Sequence, residues 1–286
     1  MKAAELKITF IGGGNMAQAL ISGLVKDGLD GHNIHVIDPH TPALEKLRQQ
    51  FGASTASGID AALPACDVIV LAVKPQSMRE VAKLLAPVLA GITDNSGKGG
   101  PLILSIAAGI RAGDLARWLG GKPAIVRCMP NTPALIGLGI TGMVAVGAVS
   151  AQQKAAADAI MKAVGVTVWL DEEALIDPVT AVSGSGPAYV FYFIEAMQQA
   201  AVEMGLSVEQ GAQLALATFV GASQLASQST EAVSLLRERV TSKGGTTYAA
   251  LSSMEHSGVK QALVTAMKAA AERGKELGDE LGADTV

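Results

Sequence analysis

At 286 residues the chain has room for one large domain or two ordinary ones. Hydrophobic residues make up 49% of it, which excludes a disordered chain. A net charge of −4 with scattered basic residues excludes nucleic acid, whose phosphates need a positive stripe. Aromatics at only 3% mean a core built from Ala, Val, Leu and Ile. Cys66 and Cys128 form no CxxC pair and read as buried thiols of a reducing compartment. The N-terminal Met1-Lys2-Ala3-Ala4-Glu5-Leu6-Lys7 runs into a strand-like segment with no leader pattern. The stretch 128–154 is broken by Pro130, Pro133 and glycines, and 210–230 carries Gln, Ser and Thr throughout, so neither suits a membrane span. The expectation is a soluble, cytoplasmic protein.

The elements alternate at first. Ile8–Ile11 is a short apolar strand ending in three glycines, and Asn15–Lys26 follows with helical spacing at Met16, Ala19, Leu20, Gly23 and Leu24. Further strands are expected at Ile34–Ile37, Asp67–Val73, Leu102–Ile106, Ile125–Met129, Gly139–Val146 and Val164–Leu170. The third has the continuous β-branched character of a strand buried on both faces. Such alternation predicts a parallel sheet with helices on both sides. After Leu170 the pattern is helical almost throughout: Ala188–Gly205 behind Pro187, then Ser207–Ala226, Glu231–Val240, Thr246–His256 and Val259–Leu281. The chain therefore divides into an α/β part, 1–170, and an all-α part, 171–286. Several of the late helices are Ala-rich and poor in charge on more than one face, which points to a subunit interface.

Gly12-x-Gly14-x-x-Ala17 follows a strand and opens a helix. The first glycine permits the tight turn, the second lets backbone approach a pyrophosphate, and Ala17 allows close packing of helix on strand. Asn15 and Met16 then lie at the helix N-terminus, whose N–H groups suit phosphate. Asp38 ends the next strand about 20 residues on, where an acid can accept from the adenosine ribose; a turn residue in an Asp-Pro pair is the alternative. Later strand ends carry Ala72-Val73-Lys74-Pro75, Ser105-Ile106-Ala107-Ala108-Gly109 and Cys128-Met129-Pro130-Asn131-Thr132-Pro133. Lys74 could touch phosphate or be a solvated loop cation. Asn131, between two prolines, could serve the nicotinamide side or a rigid turn.

Thr241-Ser242-Lys243-Gly244-Gly245-Thr246-Thr247 precedes another helix start, where glycines expose consecutive N–H groups and hydroxyls gather. That suits a small carboxylate; an ordinary capped helix is the bland alternative. Residues 240–251, Val-Thr-Ser-Lys-Gly-Gly-Thr-Thr-Tyr-Ala-Ala-Leu, closely resemble the signature of the pyrroline-5-carboxylate reductases. Similar matches, in family order, are Phe-Ile-Gly-Gly-Gly-Asn-Met-Ala at 10–17, Ala-Val-Lys-Pro at 72–75, Met-Pro-Asn-Thr-Pro at 129–133 and Val-Ser-Gly-Ser-Gly-Pro-Ala-Tyr at 182–189.

The resemblance implies a Rossmann-type domain followed by a helical domain that dimerises by interlaced helices, with dimers often assembled into decamers. It places the site between the cofactor domain of one subunit and the helical domain of its partner. It implies that Ser242, Gly245, Thr246 and Thr247 hold 1-pyrroline-5-carboxylate, with Thr247 nearest the ring nitrogen and NADPH or NADH as reductant. Asp38-Pro39 departs from the Asn-Arg or Ser-rich loop of many relatives, so NADH is expected to serve at least as well as NADPH.

The chemistry asks little beyond alignment. A protonated imine carbon is already electrophilic, and positioning alone supplies several kcal/mol. No strong general acid is evident; His32, His35, His40 and His256 suit surface or packing roles, and no metal-ligand spacing occurs. The rivals are a dehydrogenase of related architecture acting on a 3-hydroxy or ketol acid, and a non-catalytic NAD(P)H sensor. The first would need a catalytic Lys in the helical part or clustered carboxylates for magnesium, neither of which is seen near the Ser183 or Gly244 loops.

Overall fold

The structure is a computed structural model that describes residues 5–59, 63–89 and 100–283. The first residues, on which the reading of no leader rested, lie outside the described ones. By compactness the chain forms two units: one runs to Ser185 and is taken up again from Ala270, and the other is Gly186–Ala269.

The first unit is built on eight strands: β1 (Ile8–Ile11), β2 (Ile34–Ile37), β3 (Ser54–Ala56), β4 (Val68–Leu71), β5 (Leu102–Ser105), β6 (Ile125–Met129), β7 (Gly139–Val146) and β8 (Gly165–Trp169). Their order is β3-β2-β1-β4-β5-β6-β7-β8. The chain works outward from β1 to β3, then returns to the other side of β1 at β4. That reversal is the switch point at which open α/β sheets bind ligands, beyond the carboxyl ends of the strands.

Helices α1 (Asn15–Lys26), α2 (Thr41–Phe51) and α5 (Ala151–Lys162) cover one face. There Leu20, Ile21, Leu24, Leu47 and Ile160 pack on Phe10, Val36, Val70, Leu104 and Val126. Helices α3 (Pro75–Leu89) and α4 (Ala112–Trp118) cover the other, where Met78, Leu85 and Leu115 meet Ile69, Leu71 and Ile103. Every residue of β4 is buried, as a strand covered on both faces requires. Cys66 and Cys128 are buried free thiols, and burial raises the pKa of each.

Strands β1, β2, β6 and β7 and helices α1 and α10 (Thr246–His256) have the bounds expected from the sequence. One junction differs from the parallel sheet expected: β7 runs antiparallel to β6. The reason is the link. Only a short 3₁₀ turn, Thr132–Ile136, joins the two, whereas a parallel crossover needs a dozen residues or more.

Compactness also divides the chain differently from the composition change at 170. Helix α6 (Ile176–Val179) and the π-helical turn Thr180–Gly184 belong to the first unit, with the Val179 side chain lying against the Cα of Gly142 on β7. So does the end of the last helix, α11 (Val259–Gly282). Arg111 at the start of α4 pairs with Asp279 at 2.7 Å and donates to the Lys275 carbonyl at 3.1 Å, while Arg117 donates to the Gly282 carbonyl at 2.7 Å.

The second unit holds α7 (Gly186–Glu203), α8 (Val208–Gln228), α9 (Val233–Arg239), α10 and the first part of α11. A reciprocal capping box, Ser207 with Gln210, starts α8. Ala201, Gly211 and Ala215 are buried in this unit, and Gly211 lies against Ala201. Large apolar side chains stay exposed along the same helices and in the turn after α7, among them Phe191, Tyr192, Met204 and Leu225. One copy of this unit cannot bury its own apolar surface, which is the mark of an interface.

Candidate active site

The loop after β1 is held before anything binds. Gly12 has φ +102°, and a Cβ there would fall 2.6 Å from the Ala72 carbonyl oxygen, so only glycine fits. Its N–H donates to the Ile37 carbonyl at 2.8 Å, and Ala72 N–H donates to the Ile11 carbonyl at 2.8 Å. The loop is thereby stitched to both neighbouring strand ends.

Gly14, by contrast, is exposed, with nothing within 4 Å of the position a Cβ would take. It is the N-cap of α1 and offers no side-chain cap, and the first turn carries no acid. The N–H groups of that turn therefore face open space at the positive end of the helix, which fits a pyrophosphate. Asn15 is exposed there and Met16 half-buried against the core.

Asp38 directly follows β2, at the strand end where it was expected, and both its carboxylate oxygens are engaged. Oδ2 accepts from Gly13 N–H at 2.7 Å and Oδ1 from His40 N–H at 2.7 Å. The second bond is the turn contact foreseen for an Asp-Pro pair. The first ties the acid directly to the glycine loop, and no sequence signal pointed to it.

Of the other expected cofactor residues, Ala72 and Val73 are partly buried at the end of β4, Lys74 is exposed, and Pro75 opens α3. Ala107 is buried beyond β5. Asn131 is buried at 9% exposure, and its side chain is spent on structure. Its Nδ2 donates to the Ser183 carbonyl at 3.1 Å, while its Oδ1 accepts from Ile140 N–H at 3.0 Å. The rigid-turn alternative thus describes the side chain: Asn131 fastens the loop after β6 to β7 and to the π-helical turn. What remains free to face a ligand is backbone.

The second loop belongs to the helical unit. Gly244 takes φ +75°, turning the chain into α10, and Gly245 N–H donates to the Ser242 carbonyl at 3.0 Å. Gly245 is the N-cap, again with no side-chain cap and no acid in the first turn. The first-turn N–H groups of Thr246 and Thr247 are thus uncapped. The Ser242 hydroxyl oxygen lies 2.6 Å from where a Cβ on Gly245 would stand, which brings hydroxyl and backbone donors into one turn. Such a turn can hold a carboxylate.

The histidines do other work. His35 contacts the Ser54 hydroxyl at 2.8 Å, and burial lowers its pKa; His32 pairs with Asp30. Among the described residues no group of three His, Cys, Asp or Glu could hold a metal ion, and no helix is long and apolar enough to cross a membrane.

Residues 173–277 match the family model described as pyrroline-5-carboxylate reductase dimerisation, and residues 7–109 match that described as NADP oxidoreductase coenzyme F420-dependent. A pyrroline-5-carboxylate reductase of Pseudomonas aeruginosa is 44% identical over 276 residues, 96% of this chain and 98% of that one. The chain belongs to the pyrroline-5-carboxylate reductase family.

Other members of that family agree. The Haemophilus influenzae enzyme is 41% identical over 94% of this chain and 97% of its own. The Coxiella burnetii pyrroline-5-carboxylate reductase structure superposes with TM-score 0.88 at 38% identity, covering 95% of this chain and 98% of that one. The Plasmodium falciparum pyrroline carboxylate reductase, solved with NADP bound, gives 0.81 at 31% over 96% and 99%. Likeness to a ketol-acid reductoisomerase, TM-score 0.62 at 16% identity, is a likeness of fold alone. As a member of the pyrroline-5-carboxylate reductases, the chain is an NAD(P)-dependent oxidoreductase with a Rossmann-type domain followed by a helical dimerisation region.

Proposed function

We propose that this chain reduces 1-pyrroline-5-carboxylate to L-proline with hydride from NADPH or NADH, the closing step of proline biosynthesis. The observation that carries the reading is the uncapped start of α10, where Gly245 leaves the Thr246 and Thr247 N–H groups open beside the Ser242 hydroxyl, inside the loop that resembles the family signature. A planar five-membered imine with one carboxylate matches that donor set in size and charge.

Bound reduced nicotinamide supplies the hydride. The rest falls to the chain. Gly12, Gly14, Asn15 and Met16 give the turn and helix end for the pyrophosphate, and Asp38 adjoins the adenosine ribose. Ala72, Val73, Lys74 and Pro75, together with Ala107 and Asn131, line the cofactor's path along the carboxyl ends of the strands. Ser242, Gly245 and Thr246 hold the substrate carboxylate. Thr247 sets its hydroxyl at the ring nitrogen, where it keeps the iminium proton in place without needing to be an acid. Fixing the imine carbon in reach of hydride supplies most of the acceleration.

Segment 1–170 is the cofactor part and 171–286 the substrate and dimerisation part. The working assembly is a homodimer through the helical segment, with decamers built from dimers; it works in the cytoplasm and takes neither nucleic acid nor membrane as partner. The test is direct: protein, reduced cofactor and pyrroline-5-carboxylate are mixed, and loss of nicotinamide absorbance is matched to L-proline formed. Cofactor binding without turnover would favour the non-catalytic sensor.

A further inference from the structure

We infer that Asp38 acts first as a positioning residue for the phosphate loop, so that removing its charge does not tighten the binding of NADPH. The inference rests on the nucleotide reading of the Gly12–Ala17 loop.

Gly13 is clamped through both of the peptide groups that flank it. Its N–H donates to Asp38 Oδ2 at 2.7 Å, and its carbonyl accepts from Gln18 Nε2 at 2.9 Å. Lys46 Nζ reaches Gln18 Oε1 at 3.4 Å, extending the chain of contacts onto α2. Gly13 sits between Gly12, at φ +102°, and the exposed Gly14, whose extended backbone (φ −68°, ψ −176°) leads into the first turn of α1. The direction in which the N–H groups of that turn point is therefore set by how the two peptide groups around Gly13 are oriented. Each tether fixes one of them, and the two come from residues on different elements.

The carboxylate is also over-determined. With Oδ1 on His40 N–H and Oδ2 on Gly13 N–H, each oxygen faces a donor. An amide placed there must turn its NH₂ toward one of those N–H groups, so Asp38→Asn breaks a charge-assisted bond whichever way it flips. Losing a hydrogen bond to a charged group costs about tenfold or more in whatever equilibrium needs it. Relief of repulsion with a 2′-phosphate, discounted for solvent, returns only about a fewfold. The first effect outweighs the second.

The experiment measures NADH and NADPH dissociation constants by fluorescence titration, with steady-state kinetics, for wild type, Asp38→Asn and Gln18→Met. Gln18→Met cuts the other tether and leaves the carboxylate in place. Asp38→Asn is expected to weaken NADH about tenfold or more and NADPH by less, with no gain for NADPH. Gln18→Met is expected to weaken both cofactors by a similar factor. In Gln18→Met kcat at saturating cofactor stays within about twofold of wild type, a split that general loss of folded protein would not give.

Several-fold tighter NADPH in Asp38→Asn would overturn the inference and make Asp38 a charge discriminator. So would unchanged affinity for both cofactors in either variant. If Asp38→Asn fails to fold, the Gln18→Met result decides. Wild-type protein that bound neither cofactor would overturn the nucleotide reading itself.

Discussion

Arg127 of β6 and Glu173 form an ion pair, Nη1 to Oε1 at 3.0 Å, in which the arginine side chain is only 5% exposed. The same Glu173 oxygen accepts the first N–H of α4, that of Ala112, at 2.7 Å. One carboxylate thus serves a buried cation in the sheet and a helix N-terminus beside it. Arg127 lies next to Ser105 in register, and neither Ser105 Oγ nor Arg127 Nε has a hydrogen-bond partner. Glu173 carries most of the compensation for that buried charge.

Glu173→Ala should therefore be costly. Stranding one partner of a buried pair typically costs 3–5 kcal/mol. Glu173 is 28% exposed, so water can replace part of it, and about 2–3 kcal/mol is expected here. In a chain of this size that is a fall in Tm of roughly 5–10 °C, read by circular dichroism. An unchanged melting curve would show that Arg127 finds solvent.

The cofactor preference follows from a fixed anion. Asp38 is held by two backbone bonds and cannot turn from a 2′-phosphate, and Pro39, His40, Thr41 and Pro42 bring no Arg or Lys. At about 4 Å in a surface-like dielectric, unit charges interact by roughly 4 kcal/mol before screening, of which solvent leaves a preference of about a fewfold. NADH is expected to serve at least as well as NADPH. A kcat/KM for NADPH tenfold above that for NADH would contradict this.

Thr247→Ala should lower kcat/KM for the imine by on the order of 10²-fold, the usual loss for one well-aimed donor, about 3 kcal/mol. Cofactor affinity should scarcely change, because the Gly12–Ala17 loop belongs to the other unit. Ser242→Ala should cost less, since Gly245 and Thr246 N–H groups share the carboxylate. Kinetics near wild type in Thr247→Ala would take the threonine out of the mechanism.

Assembly has its own check. Phe191, Tyr192, Met204 and Leu225 are more than half exposed in one copy. Light scattering at micromolar concentration should give a dimer or a multiple of it. A stable monomer would refute an interface formed by these helices.

Much of this was legible in the sequence. Elements with strong periodicity and glycine or proline punctuation, such as β1, α1, β6, β7 and α10, kept their expected bounds. Strand β3 has three residues, too few for a pattern, and the π-helical turn 180–184 reads as ordinary helix. Both loops were visible as motifs, because a glycine that turns the chain must be written at its own position. Their partners were not. Asp38 meets Gly13 across 25 residues, Glu173 meets Arg127 across 46, and Asn131 meets Ser183 across 52. Such pairings depend on sheet register and on which residues a turn brings alongside, and neither is encoded locally. The antiparallel junction of β6 and β7, by contrast, follows from the short link between them, which the expected strand bounds already contained.

The return of α11 to α4 has a temporal consequence. Arg111 and Arg117 leave the ribosome long before Asp279 and Gly282, the groups they bind, with all of α7–α10 made in between. At 5–20 residues per second, the wait for the stretch from Gly186 to Gly282 is on the order of 5–20 s. During that interval the sheet can form but the α4 surface stays open. The Rossmann-type part is thus completed by a helix made only after α7–α10, and a chain truncated before Gly282 lacks the Arg117–Gly282 contact.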